Sequence, residues 1–204
     1  MRGLYVIIDP EVCTTDPLAV AQAALRGGCA ALQLRAKRYT DDEYVRFGRE
    51  LANLCHAASL PFFVNDRVGV VREVGADGVH VGQTDAPLEA VRAALGEGVM
   101  IGVSTHSLAQ ALDAEQRGAD LIGFGPVFAT QTKLDTEPVV GIAGLREVCA
   151  RVNIPVIAIG GVSEANVTEV AAAGASLGAV ISAVCRAEDP ERAARALHRA
   201  LRGT

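Results

Sequence analysis

The chain contains no tryptophan, and only 4% of its 204 residues are aromatic. Ala, Val, Gly, Ile and Leu must fill its interior instead. No apolar run approaches the ~20 residues that a membrane-spanning helix needs. The N-terminus, MRGLYVIIDPE, meets Asp9 and Pro10 too early for the apolar segment of a signal peptide. No basic stripe is visible, and a net charge of -5 with a pI near 5.4 argues against a nucleic-acid surface. HxH and HExxH spacings are absent, which argues against zinc. The five cysteines (Cys13, Cys29, Cys55, Cys149 and Cys185) are odd in number, scattered and without a CxxC pair. They read as reduced, mostly buried small residues. A single soluble domain over 1–204, in the cytoplasm, is the expectation.

What is present is an alternation. Eight short apolar runs recur: LYVIID (4–9), ALQLR (31–35), FFVN (62–65), GVHVG (78–82), MIGVS (100–104), LIGFG (121–125), PVIAIG (155–160) and GAVIS (178–182). Continuous hydrophobicity over about five residues is the mark of strands covered on both faces, as in a parallel sheet. Helical periodicity fills the intervals. PLAVAQAALRGG carries an apolar stripe, with Asp16–Pro17 as its start and Gly27–Gly28 as its stop, and Asp189–Pro190 opens the last helix in the same way. The segments GGCAALQL, GADGVHV, GADLIGF and GASLGAV each place glycine at a helix end before the next strand. Eight such units predict a (β/α)8 barrel, with an open doubly wound sheet as the runner-up. The barrel is favoured because polar residues stand at strand C-termini all along the chain, where a doubly wound sheet would gather them at one switch point.

Those strand ends supply Gln33, Arg35 and Lys37, then Asn65 and Asp66, then Gln83 and Asp85, then Ser104. The sixth opens into a loop with Thr130, Thr132 and Lys133, and the last two end in Gly160–Gly161 and Ile181–Ser182. In a barrel all of these face one rim. Arg35, Lys37 and Lys133 suit phosphoryl oxygens, while Asp66 and Asp85 among them call for a metal. Magnesium takes one or two carboxylates plus substrate phosphates, so a diphosphate with Mg²⁺ satisfies both sets. Gly160–Gly161 and Ile181–Ser182 make a site for a single phosphate. Each residue also has a simpler reading: solvated charge for the cations, helix caps for Asp66, Asp85 and Ser104, turn chemistry for the glycines, and a buried pair for Gln33. Of the histidines, His80 reads as a hydrogen-bonded barrel residue, His106 as a helix opener, and His56 and His198 as helix-surface residues.

Seven segments together resemble the thiamin phosphate synthase family, also called thiamin-phosphate pyrophosphorylase. They are QLRAK (33–37), VNDR (64–67), GADGVHVGQTD (75–85), IGVSTH (101–106), GADLIGFGPVFATQTK (118–133), IPVIAIGGV (154–162) and VIS (180–182). The resemblance implies a (β/α)8 transferase that joins a hydroxymethylpyrimidine diphosphate to a thiazole phosphate, giving thiamin phosphate and pyrophosphate. It implies that Gln33, Arg35, Lys37, Asn65, Ser104 and Lys133 hold the pyrimidine diphosphate, and that Asp66 and Asp85 bind Mg²⁺. Thr130, Thr132, Gly161, Ile181 and Ser182 would hold the thiazole phosphate. Diphosphate would leave first, with Arg35, Lys37, Ser104 and Lys133 stabilising its charge, and the thiazole nitrogen would capture the resulting cation. One departure is Ala36, where many members carry Glu.

Two alternatives fit less well. A thiazole tautomerase shares the barrel and the monophosphate site, but it resembles this chain less, carrying a histidine where this chain has Pro126. A non-catalytic sensor of thiazole phosphate or thiamin phosphate would not need the diphosphate and metal set. The partners expected are phosphorylated small molecules, with no nucleic acid and no membrane, and a homodimer is left open.

Overall fold

The computed structural model describes residues 1–130 and 137–203. Eight parallel strands close in sequence order: β1 (Gly3–Ile8), β2 (Ala31–Leu34), β3 (Phe62–Asn65), β4 (Gly78–Val81), β5 (Met100–Thr105), β6 (Leu121–Phe124), β7 (Val156–Ala158) and β8 (Leu177–Val180). β1 pairs with both β2 and β8, with Tyr5 opposite Ala31 on one side and Ala179 on the other. This is the (β/α)8 barrel that the alternation predicts. Strand residues are nearly all buried, because the inner face fills the barrel and the outer face carries helices.

The helical layer consists of α1 (Pro17–Gly27), α2 (Asp41–Ala57), α3 (Val71–Val74), α4 (Leu88–Leu95), α5 (Leu108–Gln116), α6 (Gly141–Arg151), α7 (Val167–Ala172), α8 (Ser182–Cys185) and α9 (Pro190–Arg202). The predicted start of α1 holds: the Asp16 carboxylate accepts from the Leu18 and Ala19 N–H groups, and Pro17 needs no partner at the first helical position. Asp189 accepts from Arg192 N–H ahead of Pro190 in the same manner. The repeated glycines end helical turns with left-handed backbone: φ is +93° at Gly28, +73° at Gly75, +89° at Gly118 and +97° at Gly174. An L side chain is strained there, so one αβ unit is punctuated four times by the same physics.

Most strand boundaries differ by one or two residues from the predicted runs, and three of the differences bear on the site. β1 stops at Ile8 and leaves Asp9 on the rim, while β5 runs one residue further, to Thr105. β8 stops at Val180, and Ser182 begins the short α8. His198 is half-buried rather than freely exposed: its Nδ1 accepts the Leu4 N–H at 3.3 Å and the ring packs over Gly3. It ties α9 back to the first strand.

The barrel interior explains the glycines in β4, β5 and β6. A Cβ on Gly78 would lie 2.3 Å from the Phe63 ring. A Cβ on Gly102 would lie 2.4 Å from the His80 ring, and one on Gly123 at 3.0 Å from it. Two adjacent strands therefore give up side chains so that the His80 imidazole fits inside the barrel. Gly125 meets a different neighbour, with a hypothetical Cβ 2.1 Å from the Ile159 carbonyl oxygen. β6 thus reads out of the core through glycines because His80 and the Ile159 backbone occupy the space.

Candidate active site

Period-two alternation brings one inward-facing set to the C-terminal rim: Ile7 and Asp9 from β1 and its end, Gln33 and Arg35 from β2, Asn65 from β3, His80 from β4, Ser104 from β5 and Gly123 from β6. Together with Lys37, Asp66 and Asp85 they line a cavity of about 610 Å³. A second cavity, of about 440 Å³, is lined by Thr130, Gly160, Gly161, Ile181 and Ser182, with His106, Pro126 and Glu137. Gly82, Thr84, Ser104, Gly123, Ile159 and Ala179 belong to both, so the cavities share a wall. The residues expected for the diphosphate and metal half fall in the first, and those expected for the monophosphate half in the second. Thr132 and Lys133 lie outside the described residues.

The first half is pinned by an aromatic and an arginine. Tyr44 of α2 is buried, donates its hydroxyl to Leu34 O at 2.7 Å and accepts from Asn65 N–H at 3.3 Å. It thereby fixes the ends of β2 and β3 side by side. Arg67 donates to the carbonyls of Tyr39 at 2.5 Å and Ala36 at 3.3 Å, and to Asp41 Oδ1 at 2.6 Å. Its guanidinium lies 4.8 Å from the Tyr44 ring centroid. The loop that carries Lys37 is thus moulded around a side chain that points away from the cavity. Inside, Gln33 Nε2 donates to Tyr5 Oη at 3.0 Å. Burial pushes the Tyr5 phenol well above its ordinary value, so the hydroxyl stays protonated and keeps a proton to donate.

Each described cation of this half has a carboxylate partner. Arg35 pairs with the fully buried Asp9, and Lys37 pairs with Asp66. Asp66 sits at φ +60°, a left-handed conformation uncommon outside glycine. Asp66 therefore does not cap the next helical turn: Arg67 occupies that position. Asp85 Oδ2 accepts the Gly82 N–H at 2.7 Å, which closes a turn instead of capping α4. Ser104 is no cap either, since Ser107 caps α5; its Oγ stands 3.1 Å from His80 Nε2.

In the second half, the segment after β6 lies along the end of β7. Val127 N–H donates to Ile159 O at 2.9 Å and Phe128 N–H to Gly160 O at 3.0 Å. Gly160 and Gly161 have φ of +94° and +65°. Hypothetical Cβ atoms there would lie 2.5 Å from Pro126 Cβ and 2.6 Å from Ala129 O. Their own N–H groups donate to no acceptor among the described residues. The next helix, α7, begins only at Val167, and Asn166 Nδ2 donates to Gly161 O at 2.9 Å. His106, expected to open α5, instead donates from Nδ1 to Gly125 O at 2.6 Å and faces the second cavity.

Sequence reading missed Asp9, His106 and the cavity position of His80. Asp9 is legible as the last residue of the first run, LYVIID, at the position where the other strands carry their site residues. Cys29, Cys55 and Cys149 lie off both cavities: burial pushes Cys29 and Cys55 up to about 12 and Cys149 to about 11, so these three are held as thiols.

Comparison with known proteins agrees with this geometry. A family model described as thiamine monophosphate synthase matches residues 4–184. The thiamine-phosphate synthase of Methanocella arvoryzae is 47% identical over 196 residues, covering 95% of this chain and 92% of that protein. That of Laribacter hongkongensis is 43% identical over 203 residues, covering 98% and 95%. Among solved structures, the thiamine phosphate pyrophosphorylase from Pyrococcus furiosus superposes with a TM-score of 0.90 at 38% identity, over 99% of this chain and 96% of that one. The chain belongs to the thiamine monophosphate synthase family.

Proposed function

We propose that this enzyme joins 4-amino-2-methyl-5-hydroxymethylpyrimidine diphosphate to a thiazole phosphate, releasing thiamin phosphate and pyrophosphate. The observation that carries the reading is the pair of cavities with a common wall. A diphosphate in the first and a monophosphate in the second bring the pyrimidine and thiazole rings together between Ser104 and Gly123. Family membership supports the same reaction class.

The metal is a proposal of its own. Asp66 and Asp85 line one cavity, and no group of three His, Cys, Asp or Glu side chains among the described residues could hold an ion unaided. That donor set fits Mg²⁺, which keeps several waters and relies on substrate phosphates for further oxygens. Charge supports it as well. Among the described residues of the first cavity, Asp9, Glu11, Asp66 and Asp85 outnumber Arg35 and Lys37. A diphosphate entering alone would meet net negative charge. Mg²⁺ held by Asp66 and Asp85 would supply positive charge at the diphosphate oxygens.

The chain's own residues do the rest by positioning and charge stabilisation. Arg35 and Lys37 donate to the leaving pyrophosphate. Lys37, which pairs with Asp66, would be released toward the diphosphate were Asp66 to hold Mg²⁺. Gln33, with the Tyr5 hydroxyl behind it, and Asn65 orient the pyrimidine diphosphate. Gly160, Gly161, Ser182, Ile181 and Thr130 hold the thiazole phosphate so that its ring nitrogen meets the pyrimidine-methyl cation. Thr132 and Lys133 are proposed for the same loop, Lys133 toward the diphosphate. No acid–base pair is needed, because the bond that breaks is carbon–oxygen to a good leaving group.

The test is chromatography of a reaction with purified protein, both substrates and Mg²⁺. Thiamin phosphate and pyrophosphate are expected in equal amounts, with neither formed in the presence of a chelator. Absence of thiamin phosphate, with both ligands shown to bind, would overturn the synthase reading in favour of a sensor.

A further inference from the structure

Asp9 is the one charged residue with no exposure in the described chain, and it sits at the mouth of the active-site cavity. Both of its oxygens are engaged. Oδ1 accepts the Glu11 N–H at 3.0 Å, and Oδ2 accepts from Arg35 Nη1. Its carbonyl accepts from Val12 and Cys13 N–H groups at 2.9 and 3.0 Å, so the residue is fixed at the centre of a tight turn. Arg35 N–H donates to Ile8 O at 2.9 Å, which brings the two strand ends into register. A second tie runs parallel: Glu11 accepts from the Arg38 backbone and pairs with its guanidinium, each at 3.1 Å. The Arg35 side chain is 18% exposed and lines the cavity.

We propose that Asp9 is a positioning residue for the reaction: it clamps the Arg35 guanidinium so that the remaining N–H donors face the leaving pyrophosphate. The idea rests on the assignment of Arg35 to the diphosphate half. A guanidinium has five donors in a rigid fork, and one held by a buried carboxylate aims the others. The fork is then pre-ordered, so little side-chain freedom is lost as charge develops on the departing oxygens. Lys37 contrasts with it. Its partner Asp66 is 22% exposed and is a proposed metal ligand, so that pair is exchangeable, whereas the Asp9–Arg35 pair is walled in. Asp9 also offsets the Arg35 charge, which favours release of pyrophosphate after the bond has formed.

The experiment is a double-variant cycle with Asp9→Asn, Arg35→Ala and both together, measuring kcat, KM for each substrate and calorimetric affinity for pyrophosphate with Mg²⁺. In Asp9→Asn the amide carbonyl can still serve Glu11 N–H, but an NH2 group then faces Arg35, donor against donor. A 10- to 100-fold loss of kcat is expected, with thiazole phosphate affinity within twofold of wild type. The double variant should match Arg35→Ala in both kcat and pyrophosphate affinity, because Asp9 acts through Arg35. Should Asp9→Asn fail to fold, Asp9→Glu keeps the charge but displaces the carboxylate by one carbon, and at least a tenfold loss of kcat is expected. An independent further loss in the Arg35→Ala background, or wild-type kcat in Asp9→Asn or Asp9→Glu, would overturn the proposal. Wild-type product formation is measured first: its absence defeats the synthase reading itself, whereas normal wild-type turnover with additive variants defeats only the role of Asp9.

Discussion

Two ion pairs at the cavity mouth look alike in the sequence and differ in kind. Asp9–Arg35 is buried, so removing one partner strands a charge; such losses cost about 3–5 kcal/mol. Arg35→Ala should fall near the lower figure, about 3 kcal/mol, because Arg35 retains some exposure. Chemical denaturation of that variant beside the double variant with Asp9→Asn checks this: the second substitution should return much of the stability. Lys37–Asp66 is exposed on the lysine side and worth little to the fold. Lys37→Ala should leave the denaturation midpoint near wild type. It should also shift two affinities in opposite directions. Mg²⁺ alone should bind a few-fold tighter, since Asp66 is freed, and pyrophosphate with Mg²⁺ should bind at least tenfold weaker. Calorimetry reads both, and a loss of Mg²⁺ affinity would show that Lys37 and the metal do not exchange Asp66. Chemistry-bearing residue types were legible at strands two to eight. Their pairing was not, because sequence spacing does not reveal that residues 26 apart, Asp9 and Arg35, share a bond across two strand ends.

At the scale of elements, β6 and β7 act as a unit through Gly160. Its φ of +94° and the 2.5 Å approach to Pro126 leave no room for a methyl group. Gly160→Ala should therefore push the post-β6 segment off β7. Thiazole phosphate should then bind at least tenfold weaker, with pyrophosphate affinity within twofold. Equal weakening of both would place the glycine in general stability instead. The closure of the barrel has its own test in His198. Burial lowers its proton affinity, and its Nδ1 must be unprotonated to accept the Leu4 N–H. The folded value is thus below the unfolded value of about 6.5. The contribution to stability is present above that pH and is lost as pH falls through the lower folded value. Thermal midpoints of wild type and His198→Gln should diverge above pH 7 and converge toward pH 5. Strand and helix identity were legible here, because burial on both faces and helix-ending glycines leave strong local marks. The tie from α9 to β1 was not, since His198 looks amphipathic on a helix whose partner lies at the other end of the chain.

Across the whole molecule, the barrel gathers residues from its strand ends at one rim and divides them between two cavities. The eightfold alternation made that gathering legible, but the division rests on Gly123 and Ser104, whose place on the shared wall comes from register. No helix among the described residues is long and apolar enough to cross a membrane. The central claim is that two anions occupy the barrel mouth at once, face to face. It is tested most directly by calorimetric titration of thiazole phosphate into protein saturated with pyrophosphate and Mg²⁺. The expected result is one further molecule bound, with an affinity within about threefold of that measured without pyrophosphate. Competition, seen as affinity falling in proportion to pyrophosphate concentration, would mean that the two cavities take a single ligand and would contradict the account.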